Sequence, residues 1–136
     1  MDLSYPCPQR MRYNVAVTEA RSSLHVDKTA SAQPGVGVFA VSGELDLATI
    51  GILRDVVGGE IGDAGELVVL DLSDLSFCDS TGLGTFVGLH RQAISAGTRL
   101  ALAAPRKRVA DLLQISGINQ VVPVFESVDA AVLGRS

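Results

Sequence analysis

Cysteine is scarce in this chain. Its two residues, Cys7 and Cys78, form no CxxC pair and have no histidine at ligand spacing, which argues against a zinc site. A single disulfide between them stays open. The preferred reading is a core thiol at Cys78 and a tail thiol at Cys7, in a reducing cytosol. Basic residues are also few: 11 Lys and Arg against 15 Asp and Glu give a net charge of −4. A nucleic-acid partner calls for a basic surface, so none is expected. The one dense basic cluster, Arg106 to Arg108, reads as a solvated helix face. No apolar stretch approaches the length of a membrane span. The N-terminal "MDLSYPCPQRMRYN" lacks the apolar centre of a secretory signal. There is no internal repeat and no low-complexity segment. These absences point to a soluble cytoplasmic protein with no membrane contact.

What is present suits one globular domain. The 136 residues are 47% apolar and 19% charged, enough for a real core and too apolar for disorder. Residues 1–13 carry two prolines and no periodicity, which predicts a loose tail ahead of a domain over 14–134. "YNVAVTEA", Tyr13 to Ala20, alternates weakly and reads as a first strand. Ser22 to Gly35 is polar and ends in Pro-Gly, a loop. "VGVFAVSG", Val36 to Gly43, is a buried strand, paired with the first as a hairpin. From Leu47 the apolar positions Ile50, Leu53, Val56, Val57 and Ile61 follow a 3.6-residue period.

"ELVVLDLS", Glu66 to Ser73, is apolar on both faces and reads as a central parallel strand. A helix follows from about Ser80 to Ala96, closed by Gly97. Thr98 to Pro105 is a strand, "RKRVADLLQISGI" a helix ending at Gly117, and "QVVPVF" an edge strand because Pro123 lacks an N–H. "ESVDAAVLG" is a short last helix starting near Glu126 or Ser127. The fold class is therefore α/β, with an N-terminal β-hairpin and a mixed, mostly parallel sheet of about five strands with about four helices.

In such sheets, binding sites sit where the carboxyl ends of strands lead into helices. Two acidic loops fall there: "SGELD", Ser42 to Asp46, and "DLSDLSFCDST", after the central strand. If these strands are neighbours, Asp46 and Asp79 approach Ser80. Taken locally, Asp-Ser-Thr before a helical pattern is a helix N-terminus, whose side-chain oxygens accept free N–H groups. Gly82, Gly84 and Gly88 each cost about 1 kcal/mol of helix propensity against Ala. Three in one helix imply that another backbone comes close, either the protein's own sheet or a partner's helix. Enzymatic readings fare worse. "CDSTG" is not G-x-S-x-G, and "GLGTFVG" is not the dinucleotide fingerprint. A Ser-His-Asp triad has nothing to propose it, with His25 in a polar loop and His90 ten residues beyond Ser80. Asp46, Asp71, Asp74 and Asp79 are candidates for Mg²⁺ as in phospho-acceptor domains, but capping and solvated turns explain them more simply.

"SGELD" followed by "LVVLDLSDLSFCDSTGLGTFVGLHRQA" resembles the STAS-domain anti-sigma factor antagonists (anti-anti-sigma factors) of bacteria. "RKRVADLLQISGINQVVPVF" resembles that family's third helix and following strand. The resemblance implies a phosphoprotein that regulates transcription by partner switching and is not itself an enzyme. Its Ser80 matches the serine phosphorylated by an anti-sigma factor serine kinase of the histidine-kinase-like ATPase fold. A metal-dependent serine phosphatase would reverse the modification. Unphosphorylated protein would bind the kinase and release a sigma factor. Ser42, Gly43, Glu44, Asp46, Asp79, Ser80, Thr81, Gly82, Leu83 and Gly84 are the partner-binding residues that follow, with no cofactor and no metal. The rival reading is a STAS scaffold subunit of a transporter or stress-signalling complex.

Overall fold

The computed structural model describes residues 23–29, 33–63 and 65–134. Its strands are β1 (Leu24–Thr29), β2 (Val36–Leu45), β3 (Leu67–Cys78), β4 (Arg99–Ala103) and β5 (Val124–Phe125). Its helices are α1 (Ile50–Gly58), α2 (Ser80–Ser95), α3 (Lys107–Ile115) and α4 (Val128–Leu133), with 3₁₀ turns at Ile61–Asp63 and Ile118–Gln120. The sheet runs in order β1-β2-β3-β4-β5, with β1 antiparallel to β2 and every other neighbour parallel.

That order explains the layers. Each crossover from β2 to β5 steps to the next neighbour in one direction. Right-handed connections then put all three intervening helices on one face. Under α1, α2 and α3 lies the main core, with Phe39, Leu45, Leu70, Phe86, Leu102 and Leu113 fully buried. α4 follows the last strand and is free of that constraint. It covers the opposite face, where Val36, Val38, Leu67, Val69, Ala101 and Ala103 pack with Ala131. The period of two along β3 sends Val68, Leu70 and Leu72 to one core and Leu67 and Val69 to the other.

Three expectations change. The segment read as a loop over Ser22–Gly35 contains β1. Leu24 is buried and Val26 half-buried, while His25, Asp27 and Lys28 are exposed. An antiparallel edge strand with one wet face needs only such sparse alternation. The turn signal survives at its end, where Gly35 has φ +79° and Val36 N–H donates to the Gln33 carbonyl. The strand expected at Tyr13–Ala20 lies outside the described residues, as does Cys7.

The second change is the length of β3, which runs on to Cys78. Its far half pairs with Ser42–Leu45 through register shifts between Ala40 and Ser42 and between Gly43 and Glu44. The inward residues become Leu72, Leu75 and Cys78. Irregular pairing of this kind inserts extra residues and breaks the period of two, so the extension carries no strand-like pattern.

α1 starts at Ile50, not Leu47, because a side-chain-bonded turn precedes it. Thr49 Oγ1 donates to the Glu44 carbonyl (2.8 Å), Asp46 N–H donates to Thr49 Oγ1, and Ala48 N–H donates to Asp46 Oδ1. Leu47 therefore points outward, 72% exposed. The other elements follow the sequence. Gly97 (φ +76°) closes α2, the two-residue β5 is an edge strand after Pro123, and Ser127 caps α4 by accepting from Ala130 N–H. Replacing Phe39, at the centre of the main core, by Ala should cost about 3–5 kcal/mol, read as a lower denaturation midpoint in urea.

Candidate functional site

The site forms where β2 and β3 end side by side and hand over to α1 and α2. Leu45 pairs with Cys78, and Asp79 N–H donates to the Leu45 carbonyl (3.1 Å). The helix cap is Asp79, the first residue of the Asp-Ser-Thr run. Asp79 is extended, and its Oδ1 accepts from Gly82 N–H (3.0 Å) and from the Thr81 hydroxyl. These two bonds, with smaller help from the Thr81 and Leu47 N–H groups, hold its pKa below the usual carboxylate value. The pairing of Leu45 with Cys78 and the Asp79–Leu45 bond bring the two acidic segments together, so "SGELD" and "CDSTG" do meet.

Capping by Asp79 leaves Ser80 over. It is the first residue of α2, exposed, and its hydroxyl has no hydrogen-bond partner among the described residues. Thr81 is the opposite case. It is half-buried, its hydroxyl is committed to Asp79, and its carbonyl accepts from the Thr85 hydroxyl (2.9 Å).

The other expected site residues divide by direction. Ser42, Glu44 and Asp46 are half-buried around the rim, and Gly84 is exposed. Gly43 serves the fold: it has φ +103°, and a Cβ there would lie 2.2 Å from the Ser23 carbonyl oxygen. Gly82 and Leu83 are buried, so they shape the surface from beneath rather than offering it a side chain. At Gly82 a Cβ would come within 2.8 Å of Cys78 Sγ and 2.9 Å of the Leu45 carbonyl oxygen. The close backbone inferred from the glycines is therefore the protein's own β2 at this position. At Gly84 and Gly88 a Cβ would meet nothing within 4 Å.

Those two glycines open onto a groove of about 460 Å³ between α1 and α2. Ile50 and Arg54 stand on the α1 side, and Gln92 closes the far end by donating to the Gly58 carbonyl (3.0 Å). The sequence reading did not single out Arg54, Gln92 or the groove. Its trace was the four-residue spacing of Ile50 and Arg54 facing that of Gly84 and Gly88.

The remaining candidates have structural duties. Cys78 is a free, buried thiol, pushed up to about 12 chiefly by burial and then by Asp79. Asp71 Oδ1 accepts from Ser73 N–H, and Asp74 stands 3.8 Å from Arg106. Among the described residues no three His, Cys, Asp or Glu side chains gather closely enough for a metal. Arg106 is more than a solvated charge, since its Nε donates to the Ser73 carbonyl (2.9 Å) and fastens the start of α3 to β3. His90 lies about 15 Å along α2 from Ser80, too far to act on it. Among the described residues no helix is long and apolar enough to cross a membrane.

Fold and site define an α/β domain of five strands and four helices with an exposed serine at a helix start. The STAS domain family model matches residues 27–131. The chain belongs to the STAS domain family. It is 32% identical over 94 residues to an anti-sigma F factor antagonist of Paenibacillus polymyxa, covering 68% of this chain and 80% of that one. An anti-sigma factor antagonist structure from Mycobacterium paratuberculosis superposes with TM-score 0.73 at 23% identity, covering 82% and 93% of the two chains. The Bacillus cell fate determinant SpoIIAA in its phosphorylated form gives TM-score 0.59 at 22% identity over 81% and 96%. The fold also matches part of a murine anion transporter, Solute Carrier 26 family member A9, with TM-score 0.68 at 24% identity over 78% of this chain and 18% of that one.

Two outcomes test this geometry. Gly82→Ala should cost about 1–3 kcal/mol by overpacking against Leu45 and Cys78, read by urea denaturation. Asp79→Asn keeps a capping oxygen and removes the charge. Because the folded pKa of Asp79 lies below its ordinary 3.8, the charged cap adds stability above that pH and loses it as pH falls through the folded value. The stability gap between wild type and Asp79→Asn should stay flat from neutral pH to about 5 and close in more acid solution.

Proposed function

We propose that this chain is an anti-sigma factor antagonist controlled by phosphorylation of Ser80. The observation that carries the reading is the division of labour at the start of α2. Asp79 caps the helix, and Ser80 is left exposed with an uncommitted hydroxyl. The partner is an anti-sigma factor serine kinase of the histidine-kinase-like ATPase fold. The unphosphorylated protein binds it in the cytosol and displaces a sigma factor. The kinase then transfers the γ-phosphoryl group of ATP to the Ser80 oxygen, whose proton is lost, and ADP leaves. A metal-dependent serine phosphatase hydrolyses the ester and restores the binding form. The chain is the substrate in both steps.

The charge at the site accounts for the switch. A phosphate adds about −1.5 to −2 charges. The N-terminus of α2 favours an anion there, so the modified domain keeps its fold. Asp79 and the nearby Asp46 oppose it. At separations of about 4–8 Å and an effective dielectric of about 20–80, that repulsion is on the order of 1–5 kcal/mol. Free in solution the phosphate is hydrated. Under a docked partner it must shed water beside two carboxylates, so the complex is weakened more than the free protein.

Incubation with the anti-sigma kinases of the source organism and Mg-ATP should place one stable phosphate on Ser80, mapped by mass spectrometry. Ser80→Ala should take up none and keep its grip on the kinase. Ser80→Asp should bind at least about tenfold more weakly. Wild-type tightness in Ser80→Asp would defeat the charge argument. Absence of phosphate from every kinase, with tight capture by a transporter or other non-kinase assembly, would favour the scaffold role that the match to an anion-transporter domain supports.

A further inference from the structure

We propose that the α1–α2 groove seats an apolar side chain of the anti-sigma partner with a carboxylate beside it, the carboxylate pairing with Arg54. This inference rests on the function proposed above and extends its contact surface about two helical turns past Ser80.

The walls define the occupant. Leu89 and Ile50 offer hydrocarbon, and Gly84 and Gly88 offer bare backbone. The polar groups of the groove are mostly committed within the protein: the Thr81 hydroxyl to Asp79, the Thr85 hydroxyl to the Thr81 carbonyl, and the Gln92 amide to the Gly58 carbonyl. Arg54 is the exception. It lines the groove, is exposed, and makes no ion pair among the described residues. A mostly apolar trough with one unpaired guanidinium is complementary to an apolar side chain next to a carboxylate. The guanidinium's planar fork suits that anion geometrically.

The fold does not require either glycine. A Cβ at Gly84 or Gly88 has open space, whereas one at Gly82 would strike Leu45 and Cys78. Gly84 lies four residues after Ser80, on the same helix face, so a segment entering the groove passes the phosphorylation site.

The test uses the full chain and the kinase that modifies Ser80. Arg54→Glu and Gly88→Leu should each weaken binding of the unphosphorylated protein by about tenfold or more. Gly84→Ala/Gly88→Ala should raise the Tm, because alanine is the better helix former, and still weaken binding. That opposition separates lost recognition from lost folding, and it carries the test if Gly88→Leu does not fold. A kinase Asp or Glu changed to Lys should restore binding to Arg54→Glu. Affinities within about twofold of wild type for all three variants would overturn the groove while leaving the Ser80 switch intact. A free protein that runs as a dimer and becomes a monomer in Gly88→Leu would overturn it in favour of a second copy. A wild-type chain that neither binds nor is phosphorylated by any such kinase would bring down the parent reading instead.

Discussion

The carboxylate of Asp79 holds the functional end of this domain together. Its Oδ1 accepts from Gly82 N–H and the Thr81 hydroxyl, and its backbone N–H donates to the Leu45 carbonyl. One residue thereby fixes the start of α2, the end of β2 and the orientation of Thr81. An N-cap bond is worth about 1 kcal/mol in isolation. Its effect here is larger in geometry than in energy, because the residue it leaves unoccupied is Ser80. Had the serine been the cap, its oxygen would be committed to a backbone N–H. With Asp79 in that role, the hydroxyl faces solvent.

The rest of the site depends on how tightly α2 sits on the sheet. Gly82 lets the first turn descend until a methyl would strike Leu45 and Cys78. Farther along, Gly84 and Gly88 face outward and open a trough toward α1. Two glycine environments on one helix therefore do different things, one drawing the helix inward and the other leaving room outside. The register shifts between β2 and β3 complete the arrangement, carrying β3 to Cys78 and presenting Asp79 at the sheet's end.

The order of elements was legible because each long segment carried its own period. Leu67–Leu72 read as a central strand, and Val109 and Leu113 as one helix face. Three things were not legible, for physical reasons. β1 needs only Leu24 and Val26 turned inward, too few to stand out from a polar loop. The far half of β3 follows irregular pairing, so its buried residues fall three apart. Leu47 fits the helical period of α1, yet the turn built by Asp46 and Thr49 delays the helix and turns it outward. At the site, the motif marked the Asp79–Ser80 pair as a helix start, and the pairing of Leu45 with Cys78 sets the "SGELD" segment beside it. The motif could not divide the roles of cap and free hydroxyl between two adjacent residues that can each cap.

By itself the sequence determined the α/β class and the alternating units that follow β2, because hydrophobic period and turn chemistry are local. The tertiary structure alone decided which glycines are filled by the protein's own backbone, which hydroxyl is committed and which is free, and that Arg54 shares a groove with α2. Those outcomes depend on residues distant in the chain, Leu45 against Gly82 and Ile50 with Arg54 across from Gly84 and Gly88. Only the packing of α1 and α2 on one face of the sheet brings them together.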